Sequence, residues 1–244
     1  MASLGLFTVA SQFGDIADTI QTYINNAYGP WLFERLHNKS NGYKTKIHSV
    51  VCALCAIIGL FFICISLFSH DYILLFLNKK YIYSWKYVPL IVLVYGIKTM
   101  YYFYINILFY FKKASRILFT STLTGSIINV FTSAILIPIL GVYGSIIADA
   151  IAMLARVLIV YFISKRFENI GLKVIDFFKS FILIAFFVFL GLIPSYIYYN
   201  DKYNILNTVY KFIITSFYCI YIIINYKRQI IPLLNKIIHK QKCA

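Results

Sequence analysis

Gln12, Asp15, Asp18, Thr22 and Asn25 recur at spacings of three, three, four and three within the first apolar stretch of the chain. At roughly 100° per residue they form one polar stripe along a helix. A charged group at mid-membrane costs from about 3 kcal/mol upward, so such a stripe faces a wet cavity or protein, unless the segment lies outside the membrane. Asp15 and Asp18 are therefore candidates for binding a cation or a proton. Asp149 and Arg156, seven residues apart, come within roughly 20° of each other around a helix and about 10 Å along it. Asp149 is expected to face a cavity or to enter a buried ion pair. Arg156 either does the same or snorkels to headgroups. Lys98, near the middle of its span, can attract a phosphate or pair with an Asp. Lys211, nearer a span end, is expected to snorkel. Asn106 and Asn129 suit hydrogen bonding between helices.

The elements that position these residues are seven apolar stretches, near 4–32, 47–69, 87–111, 117–139, 142–164, 177–199 and 205–225. Of the 244 residues, 61% are hydrophobic and 13% charged, where an ordinary soluble domain has roughly 25% charged. Mean hydropathy is +0.78. Each stretch approaches the roughly 20 residues needed to cross a bilayer, and a backbone in lipid must satisfy its own hydrogen bonds. The expected fold is all-α, a polytopic transmembrane bundle of about seven spans over residues 1–226, followed by a basic cytoplasmic tail at 227–244. The tightest connection is Leu140–Gly141 after Pro138, which makes the fourth and fifth spans a helical hairpin.

Charge orients the bundle. Lys and Arg cluster at Arg35–Lys46, Lys112–Arg116, Lys165–Lys179 and Lys227–Lys242, whereas the opposite connections hold only Lys79, Lys80, Lys86 and Lys202. Basic segments are retained on the cytoplasmic side, which puts the amino terminus outside and the carboxyl terminus inside. The formal charge of +15 thus serves topology and meets anionic membrane lipids rather than nucleic acid. The opening residues have no charged n-region, the first basic residue being Arg35, so an exterior amino terminus suggests a further segment upstream. Cys52 and Cys55 form a CxxC inside VVCALCAIIGLFF, which reads as packing rather than a metal or redox site. No metalloprotease, phosphate-loop or Asp-rich motif occurs, so an enzyme is not expected, and neither a cofactor nor a metal is called for.

The stretch Asn129–Asp149, NVFTSAILIPILGVYGSIIAD, resembles bacterial polysaccharide exporters and oligosaccharide-lipid flippases of the multidrug/oligosaccharidyl-lipid/polysaccharide exporter superfamily. The matching elements are Asn129, Ile137-Pro138, Gly141-x-x-Gly144, Ser145 and Ile147-Ala148. Leu4–Ala10, Ala27–Phe33 and Tyr81–Pro89 are similar to further parts of that pattern, and together the likeness covers most of residues 1–165. The family usually has a small hydroxyl residue where this chain has Asp149, so no family role passes to that carboxylate.

Such proteins have about 12 to 14 spans in two lobes with substrate between them. The resemblance implies the carboxyl-terminal lobe of a bacterial inner-membrane flippase for an undecaprenyl-pyrophosphate-linked oligosaccharide, an O-antigen or capsule repeat unit. Lys98, Arg156 and Asn129 would meet substrate, and Asp15, Asp18 or Asp149 would couple to an ion. An amino-terminal lobe or a polysaccharide polymerase would be the protein partner. The alternatives are a non-transporting scaffold of a polysaccharide assembly complex and a cation-coupled drug exporter of the same superfamily. A membrane glycosyltransferase or polymerase ranks last.

Overall fold

In the computed structural model, which describes residues 2–111, 114–168, 170–172 and 174–242, all seven apolar stretches are α-helices. They are α1 (Ala2–Asn38), α2 (Tyr43–Phe76), α3 (Val88–Tyr110), α4 (Ala114–Leu140), α5 (Val142–Phe167), α6 (Val174–Ile197) and α7 (Ile205–Lys242), with a 3-10 helix, Lys79–Lys86, between α2 and α3. Six of them, α2 to α7, are long and apolar enough to cross a membrane; α1, diluted by its polar stripe, is not among the six. The chain is an all-α multi-pass membrane protein.

Several ends differ from the sequence expectation. α1 continues through Pro30 to Asn38, and α2 runs to Phe76 rather than stopping near 69. α7 does not stop near 225 but continues through the basic stretch to Lys242. Lys112, Lys113 and Cys243 lie outside the described residues.

Cross-helix contacts set the directions. Asp18 meets Lys98, Thr22 meets Tyr102 and Asn25 meets Asn106, so α1 and α3 run parallel. Gly59 lies against Ile184 and Gly191 against Leu67, so α2 and α6 are parallel as well. Lys211 meets Asp71 and Tyr218 meets Ala56, making α7 antiparallel to α2. The α2–α3, α4–α5 and α6–α7 connections consequently gather at one end of the bundle, the 3-10 end. The α1–α2 and α5–α6 connections lie at the Gly42 end.

The hairpin turns as Pro138 and Gly141 require. Gly141 has φ +56° and ψ −129°, and its amide bonds to the Ile137 carbonyl at 2.8 Å. One turn on, a Cβ on Gly144 would collide with the Leu136 carbonyl, so glycine lets α4 and α5 pack backbone to backbone. α2 is the central post. Its apolar window is 56% buried, against 6% for α4, which packs chiefly on α5 and turns Phe119, Val130, Phe131 and Ile135 outward.

Candidate functional site

A cavity of about 280 Å³ opens between α1, α3, α4 and α5. Its polar lining includes Tyr95, Lys98, Asn129, Asp149 and Arg156. Four of the six residues singled out from sequence therefore share one space, although they come from three helices. A fifth, Asp18, reaches the same space by pairing with Lys98. Its two oxygens accept from Lys98 Nζ at 2.7 and 2.8 Å, and the ammonium also sits 5.5 Å from the Tyr95 ring and 5.3 Å from the Tyr102 ring. Of the two uses foreseen for Lys98, the structure shows the ion pair. Asp15 is exposed outside the cavity lining, within electrostatic reach of the Tyr95 hydroxyl.

The stripe on α1 is answered mainly by α3. Beyond the Asp18–Lys98 pair, Thr22 Oγ1 lies 3.1 Å from the Tyr102 hydroxyl and Asn106 Nδ2 donates to Asn25 Oδ1 at 2.6 Å. Gln21, outside the stripe as read from spacing, donates to Thr99 Oγ1 at 2.7 Å and is buried. This ladder satisfies polar groups between two helices where lipid could not.

Asp149 and Arg156 share the cavity without forming an ion pair. Asn129 Nδ2 donates to Asp149 Oδ1 at 2.6 Å, so an amide from α4 satisfies this carboxylate. Arg156 does not snorkel. Its guanidinium lies over Gly125, where a Cβ would collide with it, and Nη2 donates to Ser126 Oγ at 3.3 Å. Arg156 Nε is buried with no hydrogen-bond partner. Two cations, Lys98 and Arg156, lining one cavity suit an anion with several oxygens, such as a phosphate.

Sequence reasoning missed a second cluster. Lys211 does not snorkel either: it is fully buried at the 3-10 end, where Nζ donates to Asp71 Oδ1 at 2.9 Å and lies 3.1 Å from His70 Nδ1. Asp71 escaped notice because the second span was ended two residues before it. The adjacent pair His70-Asp71 was the available signal.

At the Gly42 end, Lys39 Nζ and the Tyr43 hydroxyl donate to Glu168 at 3.0 and 2.9 Å, bracing the α1–α2 connection against the end of α5. Burial alone would raise the Glu168 carboxyl, but these two hydrogen bonds and the Lys39 charge outweigh it and hold the group below its ordinary 4.5. The Glu168 hydrogen bond and charge raise Lys39 above 10.5. Nearby, His48 Nε2 lies 2.7 Å from Asp176 Oδ2 and the Cys52 thiol is 3.9 Å from the same ring. The Cys52–Cys55 pair thus has a histidine four residues away on the same helix. Among the described residues no group of three or more His, Cys, Asp or Glu is arranged to hold a metal ion.

A helical bundle whose interior carries paired charges beside a cavity defines the class: a polytopic membrane protein. Comparison with known proteins agrees at that level. Over 175 residues, 69% of this chain, the sequence is 29% identical to an "Uncharacterized membrane protein" of Haemophilus influenzae (strain ATCC 51907 / DSM 11121 / KW20 / Rd), of which the match covers 41%. The chain thus spans about two fifths of the length of that curated relative. No protein-family profile and no solved structure matches the chain.

Proposed function

We propose that the chain forms the carboxyl-terminal lobe of a flippase that carries an undecaprenyl-pyrophosphate-linked oligosaccharide across the bacterial inner membrane. The observation that carries this reading is the cavity, in which Lys98 and Arg156 face shared space inside otherwise apolar helices. The match to two fifths of a longer membrane protein is what one lobe of a larger transporter would give. In this reading the amino terminus is exterior and the carboxyl terminus cytoplasmic, as the Lys and Arg distribution supports.

Arg156, which lines the cavity, makes the first contact to the pyrophosphate through the guanidinium nitrogens not packed on Gly125. Lys98 can follow only if Asp18 gives it up, because the same ammonium cannot serve two anions at full strength. Neutralising Asp18 with a proton or a cation frees Lys98, which couples ion binding to substrate binding without a conformational relay. The lobes then rock around the loaded cavity.

The test is translocation of a fluorescent lipid-pyrophosphate sugar in proteoliposomes holding the complete transporter. R156Q should slow it at least tenfold and K98Q comparably. Undiminished transport in the K98Q/R156Q double variant removes the assignment. A second reading, a non-transporting subunit that pairs with another lobe or a polymerase, draws on the outward apolar face of α4. Stable copurification through α4 with no translocation would favour it.

A further inference from the structure

The densest buried charge lies away from the cavity, where α2, α7 and the α6–α7 connection meet. The side chains of His70 and Lys211 are fully buried and that of Asp71 is 8% exposed. Their distances constrain where protons sit. His70 Nε2 lies 2.9 Å from the Tyr199 carbonyl oxygen, which can only accept, so Nε2 carries a proton. His70 Nδ1 lies 3.0 Å from Asp71 Oδ1 and 3.1 Å from Lys211 Nζ. As a lone pair, Nδ1 accepts from Lys211 and faces the carboxylate unfavourably. As an N–H, it donates to Asp71 and faces the ammonium unfavourably. Lys211 keeps its own 2.9 Å bond to Asp71 in either state. One proton therefore decides whether the imidazole is bonded across to α7 or within α2.

We propose that His70, Asp71 and Lys211 form a proton-binding site whose occupancy loosens α7 from α2. The proton arrives from water at the 3-10 end and adds to the Nδ1 lone pair. No heavy-atom bond breaks, and the charge of the cluster rises by one. Without the proton, Lys211 donates to both Asp71 and His70. With it, Lys211 keeps Asp71 alone and is repelled by the imidazolium.

The remaining surroundings leave the choice to these three groups. From the 3-10 helix, Trp85 meets the imidazole edge-on at 4.6 Å, and Tyr196 of α6 packs on Trp85 at 4.6 Å. Among the described residues, the hydrogen bonds and ion pairs to the ring come from Asp71, Lys211 and the Tyr199 carbonyl. Asp71 Oδ2 is buried without a partner, so the carboxylate has acceptor capacity in reserve when the contacts rearrange. The site stands on its own geometry and does not depend on the transport reading.

The test is hydrogen exchange of the full chain in lipid nanodiscs, read over residues 205–216 from about pH 8 to about pH 5, where a histidine can change charge. After correction for the intrinsic pH dependence of exchange, wild-type protection should fall roughly tenfold toward the acid end, as expected for losing one hydrogen bond to a charged group. H70Q and K211M should both show a flat profile, while H48Q, which touches only the pair at the opposite end, should keep the wild-type response. A flat wild-type profile, or an unchanged response in H70Q, overturns the proposal. Should H70Q or K211M fail to fold, a chain with His37, His48 and His239 changed to Gln leaves His70 as the one imidazole for 15N spectroscopy. Conversion of Nδ1 from bare to protonated across the same range supports the site, and an unchanged Nδ1 overturns it.

Discussion

Lys98–Asp18 and Lys211–Asp71 are ion pairs of nearly equal length, 2.7 and 2.9 Å, in opposite surroundings. The first has side chains 25% and 28% exposed on a cavity wall and ties α1 to α3. The second has side chains 0% and 8% exposed and ties α7 to α2. In the wet pair each charge keeps part of its hydration, so either can take another partner at modest cost. In the dry pair, removing one member leaves the other buried with its opposite charge missing and the His70 ring beside it. Contact distance alone does not separate these cases; access to water does. A pair suited to exchange and a pair suited to holding helices together coexist in one bundle.

The sharpest way to break this contrast is to delete one member of each pair. K211M should destabilise the folded chain by about 3 kcal/mol, because it leaves the buried Asp71 carboxylate without its ammonium partner. Reversible unfolding in mixed micelles measures this, and the D71N/K211M double variant should recover at least half of the loss. K98M should cost no more than about 1 kcal/mol in the same assay, as for other part-exposed pairs. If the two deletions cost the same, the distinction between wet and dry fails. Reversing the first pair as D18K/K98D sharpens it further: stability should return to near wild type while transport does not.

The ladder between α1 and α3 provides an intermediate case. N106A removes the 2.6 Å bond to Asn25 and should cost about 0.6 kcal/mol, the usual scale for a side-chain hydrogen bond between membrane helices. The smallest effect belongs to the Glu168 brace. Its carboxyl is held below 4.5 in the folded chain, so its contribution is complete above that pH and fades as pH falls through the lowered value. The Lys39 share, raised above 10.5, is complete below that pH and fades as pH climbs past it. E168Q should therefore flatten the acid limb of a stability–pH profile by lowering the neutral plateau slightly, the two profiles meeting at the acid end.

Helix periodicity and hydropathy made α1 to α7 legible, together with the α4–α5 hairpin at Pro138 and Gly141 and the charged cavity residues Lys98, Asp149 and Arg156. Those features depend on local spacing and on the cost of charge in lipid, both written along one helix. Pairing between helices is not written there. Asp18 and Lys98 stand 80 positions apart and share no local signal, so the ion pair became visible only once α1 and α3 lay side by side. Lys211 was misplaced for a related reason. A lysine in the second turn of a helix can reach headgroups or a buried carboxylate, and only the position of Asp71 at the end of α2 decides between them. Arg156 likewise depends on Gly125 of a neighbouring helix for the space it occupies.

α4 sits at the rim of the bundle with 6% of its apolar window covered. The outward face of that helix is thus left to whatever surrounds the chain, whether hydrocarbon or a second protein. That same helix holds the Asn129 and Ser126 contacts to Asp149 and Arg156, so the charge arrangement of the cavity rests on a helix braced from one side.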